Sequence, residues 1–205
     1  MNERFKGRLL IAIIVLASFP VTFSCQGAQN RHSSEDARGK TYARQSQPRI
    51  GIDELENRIH ALINNERAKH DLSTLAWDDT LGRISRKHSQ DMAKRNYFSH
   101  DSPEGHDFSY RYGQDGYSCA VRWQSVIYTG AENIFQNNRY DSITTINGVK
   151  YYDWNSEGKI AETTVEGWMN SSGHRKNILT PHWKKEGIGV AIAPGNEIYI
   201  TENFC

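Results

Sequence analysis

The order of elements along this 205-residue chain predicts an α+β protein, a layered sandwich in which helices cover a central sheet. Three observations carry the prediction. Apolar residues recur at helical spacing from Asp53, from Asp78 and from Ala161. Asn147-Gly148 lies between two strand-like runs, the strongest short-range signal for a two-residue hairpin. The tail Gly187–Thr201 reads as a second hairpin folded about Pro194-Gly195-Asn196.

The first residues stand apart. Arg4, Lys6 and Arg8 precede the apolar run Leu9–Ala17, which continues less purely to Phe23. A basic start and a short apolar core describe a secretory signal peptide over residues 1–24, and the run is short for a membrane span. A retained N-terminal anchor is the alternative. Thr22-Phe23-Ser24 suits cleavage before Cys25, where a cysteine also resembles a bacterial lipoprotein site. Either Cys25 is lipidated or it falls at the edge of the removed peptide. Residues 25–50 offer little to bury and read as a flexible linker.

A domain is expected over 53–205. Asp53 reads as the cap of a first helix carrying Leu55, Ile59, Leu62 and Ile63. A second helix spans 78–96, with Leu81, Ile84, His88 and Met92 on one face. His88 therefore points inward, and a lone histidine there is better read as a core residue than as a ligand. Ser, Pro, Gly and Asp dominate 98–116, so loops are expected, with one helical turn at Phe108–Tyr112. A single strand is expected from Cys119 to Ile127. The third helix, Ala161–Asn170, buries Val165, Trp168 and Met169 and ends in a Ser-Ser-Gly turn that presents His174.

Loss of residues 1–24 removes three basic residues and Glu3, moving the net charge from +1 to near −1. No basic run survives that would neutralise a row of phosphates, which excludes nucleic acid as a partner. With Cys25 set aside, Cys119 and Cys205 remain, and in an exported protein two such cysteines pair or stay as buried thiols.

Three segments, Asn96-Tyr97-Phe98-Ser99-His100, Gly130-Ala131-Glu132-Asn133-Ile134 and Trp168 to Leu179, together resemble the signature of the CAP superfamily, which includes cysteine-rich secretory, venom-allergen and plant pathogenesis-related proteins. The resemblance runs from about Asp53 to Cys205. It implies a three-layer α-β-α sandwich with a central, mostly antiparallel sheet. It also implies a surface cavity in which His100, Glu132 and His174 match family positions, while the second glutamate position holds Ser171. Glu166 does not replace that glutamate.

Two imidazoles and one carboxylate are a sensible set for zinc or another divalent ion, with His100, Glu132 and His174 as ligands and a fourth position open to water. Serine at the fourth position lowers the charge available to a cation. The competing reading is architectural: both histidines hydrogen-bond Glu132 in a polar network that fixes the fold. A Ser171-or-Ser172, His174, Glu132 triad has its parts, but the GxSxG turn and an oxyanion loop are missing. Asn170-Ser171-Ser172, formally a glycosylation sequon, is expected unmodified beside the cavity. Arg175 and Asn177 are expected to anchor the turn after the helix.

The reading that leads is an exported, non-enzymatic binding module whose cavity engages a lipid-like or envelope ligand. The protein is expected to be a monomer that meets the membrane only through an N-terminal anchor. A metal-dependent hydrolase of peptide or cell-wall material and an adhesive protein using the Asn147-Gly148 hairpin are the alternatives.

Overall fold

The computed structural model describes residues 33–35, 39, 41–43 and 46–205. The expected signal peptide, Cys25 and the first part of the linker lie outside the described residues. Two three-residue strands, β1 (Ser33–Glu35) and β2 (Thr41–Ala43), pair antiparallel, and the Ser34 hydroxyl donates to Tyr151 Oη at 2.6 Å.

Helix α1 (Ile52–Lys69) begins one residue before Asp53, which therefore lies in the first turn with Glu54 rather than capping it. There both carboxylates face the positive end of the helix dipole. After the two-residue strand β3 (Ala76–Trp77), helix α2 (Asp79–Arg95) has the caps its sequence calls for. The Asp78 carboxylate accepts from the Thr80 and Leu81 amides, and Asn96 closes the helix in the left-handed region. Helix α3 (Phe108–Gln114) is nearly two turns, capped by Asp107.

The single strand expected at 119–127 is two, β4 (Val121–Trp123) and β5 (Val126–Tyr128). Gln124 adopts a φ of +53°, which folds the run into a tight hairpin. Strand β6 (Ala131–Asn138) contains the glutamate segment, which reads in sequence as a polar loop. Its Asn133 is buried because it bonds Glu202 across the sheet. Strands β7 (Tyr140–Ile146) and β8 (Val149–Trp154) form the expected Asn147-Gly148 hairpin, both turn residues at positive φ. Helix α4 (Glu157–Asn170) starts earlier than its apolar face suggests, because Ser156 caps it. The expected Ser-Ser-Gly turn is one extended residue, Ser171, followed by a further short helix, α5 (Ser172–Ile178), which carries His174. Strands β9 (Lys185–Ile192) and β10 (Glu197–Phe204) complete the chain as a hairpin.

The central sheet has the order β3-β9-β10-β6, antiparallel except for the short β3–β9 pair. Period-two alternation gives its two faces different work. Ile188, Val190, Ile198, Ile200 and Phe204 join Leu55, Ile59 and Ile63 of α1 and Ile160, Val165 and Trp168 of α4 in the main core. Burial of each large side chain contributes roughly 1.5–3 kcal/mol. The opposite face of β9 presents Gly187 and Gly189 to α2. A Cβ at either would stand about 2 Å from the helix backbone, so only glycine permits this approach. Ser85 and Ser89 of α2 donate to the carbonyls of Gly187 and Gly189, both at 2.8 Å. The result is the α-β-α layering, with a disulfide joining Cys119 to the terminal Cys205.

Candidate functional site

The site forms where the loop after α2, the start of β6 and α5 meet. His88, buried on α2, has Nε2 3.0 Å from the Ser99 carbonyl. Burial lowers its pKa, which keeps the ring neutral, and it fixes the backbone just before His100. The His100 side chain is 48% exposed, whereas that of Glu132 is 1% exposed. Nδ1 of His100 lies 3.0 Å from Oε1 of Glu132.

Arg111 on α3 takes the second carboxylate oxygen: its Nη2 donates to Glu132 Oε2 at 2.6 Å and to the His100 carbonyl at 3.1 Å. Its Nη1 donates to the His106 carbonyl at 2.9 Å. One guanidinium thus ties the histidine loop to the buried carboxylate. Gly130 enters β6 at φ +114°, where a Cβ would stand 2.8 Å from the ring of Tyr112. Glycine at that point lets α3 close over the carboxylate.

The ring of His174 lies 6.3 Å from that of His100, tilted by 50°. Burial, then the neighbouring His100, lowers its pKa. Below these rings, Asn133 donates to Glu202 Oε2 at 3.0 Å and to the His174 carbonyl at 3.3 Å. Asn177 donates to Asn133 Oδ1 at 2.9 Å and to the Glu132 carbonyl at 3.2 Å, the anchoring role expected of it. Arg175 donates to the Met169 carbonyl at 2.7 Å, tying α5 to the end of α4.

A cavity of about 340 Å³ opens beside this cluster, lined by His100, Asp107, Phe108, Gly130, Ala131 and Glu132 among others. Ser171 and His174 do not line it. Among the described residues the Ser171 hydroxyl has no hydrogen-bond partner, and Ser171 serves as the hinge between α4 and α5. Among the described residues no hydrogen bond joins the His174 ring to the hydroxyl of Ser171 or Ser172.

Among the described residues no three His, Cys, Asp or Glu side chains are gathered closely enough to hold a metal ion. Both oxygens of Glu132 are already bonded, one of them to a cation that would repel a second cation beside it. As arranged, these residues fit a hydrogen-bonded cluster and do not fit a zinc centre.

A second polar cluster, not apparent in the sequence, lies under the first. Glu186 and Glu202 are fully buried on adjacent strands, with His60 Nδ1 2.5 Å from Glu186 Oε1. Burial pushes the Glu186 carboxyl up to about 7 and Glu202 well above the usual carboxylate range, the latter further raised by Glu186. Two such groups side by side share a proton rather than both ionising. Arg111, Glu186 and Glu202 carry no sequence signal of their own; only the fold reveals them.

A model of the cysteine-rich secretory protein family, CAP, matches residues 60–204. The chain belongs to this family. It is 33% identical over 138 residues to the uncharacterized protein YkwD of Bacillus subtilis, an alignment covering 67% of this chain and 43% of YkwD. It is also 33% identical over 149 residues to the uncharacterized membrane protein YlbC of the same organism, covering 73% of this chain and 34% of YlbC. A crystal structure of an extracellular, SCP-domain protein from Bacillus anthracis superposes with a TM-score of 0.55 at 27% identity. That match covers 81% of this chain and 46% of the other. The chain thus spans less than half the length of each of these relatives. Its α+β layering is the CAP architecture.

Proposed function

We propose that this CAP domain is an exported binding module whose cavity between His100 and Phe108 takes a lipid-like or envelope-derived ligand. The observation that carries the reading is the state of Glu132. Its two oxygens are satisfied by His100 and Arg111, so it works as an anchor that shapes the cavity and is not free to act as a base or metal ligand. A ligand would meet an apolar wall of Phe108, Gly130 and Ala131 and a polar rim of His100, Asp101, Asp107 and Asn177. Export is supported by the basic and apolar start of the chain and by the disulfide. The extracellular relative from Bacillus anthracis and the membrane protein YlbC agree with it. No helix among the described residues is long and apolar enough to cross a membrane.

Titration with a fluorescent fatty acid and a fluorescent sterol tests the reading. Saturable binding that Phe108→Ser weakens, with circular dichroism unchanged, is the expected result. Absence of binding of either probe contradicts it. The competing hydrolase predicts chelator-sensitive cleavage of peptide or cell-wall material, lost in both His100→Ala and His174→Ala. The adhesive reading predicts that deletion of Ser142–Tyr152 abolishes partner capture.

A further inference from the structure

The β4–β5 hairpin is apolar on one side and carries one apolar residue and one cation on the other. Val121 and Tyr128 pair across it, as do Trp123 and Val126, and these face the segment after α5. The Tyr128 and Trp123 rings lie 3.8 and 5.9 Å from that of His182. Arg122 and Ile127 pair on the outer side. Trp123 is 42% exposed, Val126 48% and Ile127 51%, so the apolar surface continues beyond what His182 and Trp183 cover. The turn between them, Gln124-Ser125, is polar and uncharged.

The stretches of chain that build this finger and meet it carry charges of one sign. Gly116–Ala131 contains Arg122 and no Asp or Glu, and Arg175–Lys185 contains Arg175, Lys176, Lys184 and Lys185 and again no Asp or Glu. The two stretches meet at His182. Lys185 is paired with Asp78. Arg122, Lys176 and Lys184 are exposed and form no ion pair among the described residues. An exposed Trp with branched aliphatic neighbours inside an uncompensated basic collar is the pattern that enters the headgroup layer of an anionic bilayer. A protein partner of ordinary mixed charge would leave the collar unmatched.

We infer that the β4–β5 hairpin, with Arg122 and Lys184, docks this domain on an anionic lipid surface. The chain passes from the hairpin through Thr129-Gly130 directly into the Glu132 strand, so docking links the cavity mouth to the bilayer. This is a second membrane contact, separate from any anchor at the N-terminus, and it does not depend on what the cavity binds.

The test uses the full chain and phosphatidylcholine vesicles with brominated acyl chains, with and without phosphatidylglycerol. Fluorescence lost in Trp123→Phe isolates the Trp123 signal, which reports the hairpin itself even where the N-terminal run holds the chain to the vesicle. Quenching of Trp123 is expected on phosphatidylglycerol vesicles and not on phosphatidylcholine alone. Each cation near such a surface is worth about a fivefold change in partitioning, so Arg122→Glu with Lys184→Glu should weaken the quenched state at least about tenfold. Ile127→Ser with Val126→Ser should abolish it while circular dichroism is unchanged. Trp123 left unquenched on both vesicles, or quenching indifferent to the charge reversals, overturns the inference. A concentration-dependent dimer lost in the Ile127→Ser, Val126→Ser chain would also overturn it, by giving the face to a second copy.

Discussion

Glu132 sits almost fully buried between a half-exposed imidazole and a guanidinium that together satisfy both of its oxygens. His100, Glu132 and His174 are all legible as a motif, and the histidine rings do approach each other. Arg111 is not legible, because it stands in a stretch that reads as loop, where nothing in the sequence aims its side chain at Glu132. Removing it strands a buried carboxylate. Arg111→Met is expected to lower stability by about 3–5 kcal/mol in chemical denaturation, well above the cost of an exposed ion pair.

The Glu186–Glu202 pair makes a second prediction at this scale. A carboxyl whose folded pKa is raised stabilises the fold fully below its ordinary value and loses that contribution as pH climbs through the folded one. From this pair, stability should fall between about pH 4.5 and 7 and beyond. His60, whose pKa burial lowers, works in the opposite sense as pH falls. Arg67, the other charged group of α1 facing the pair, stays charged throughout. Glu202→Gln isolates the carboxyl effect: melting temperature against pH should flatten between pH 5 and 8. An unchanged slope would contradict a shared proton.

At the level of elements, sequence periodicity locates α1, α2, α4 and both expected hairpins, because each has a clear apolar face or a decisive turn residue. Other elements escape it, among them the short strands β1, β2 and β3, strand β6 and helix α5. Strand β6 hides behind Glu132 and Asn133, polar residues buried because Glu132 bonds His100 and Arg111 and Asn133 bonds Glu202 across the sheet. Helix α5 is too short to show a period and has no side-chain cap. The closest packing, α2 on β9, depends on glycines that read in sequence only as a permissive tail. Gly189→Ala would set a Cβ 1.9 Å from the Arg86 amide nitrogen, and should cost about 3 kcal/mol or more in thermal or denaturant unfolding. Gly173→Ala on α5, with nothing within 4 Å of the new Cβ, should be neutral or stabilise by up to about 1 kcal/mol.

For the whole molecule, the alternation of helices and hairpins foretells layers, since each amphipathic face must find another. Sheet order and the buried carboxyl pair do not follow from local pattern, because they arise only when distant strands align. The disulfide closes a separation of 86 residues between Cys119 and Cys205. Replacing both with serine should cost about 4–5 kcal/mol in the chain-entropy model, read as a lower denaturation midpoint with an unchanged oligomeric state. The account as a whole rests on the cavity beside His100 holding an apolar molecule and no catalytic metal. Protein purified from its own cell envelope, split between organic extraction with mass spectrometry and elemental analysis, tests this most directly. A retained apolar compound near one per chain, without stoichiometric zinc, is the predicted result; stoichiometric zinc with no extractable compound would contradict it.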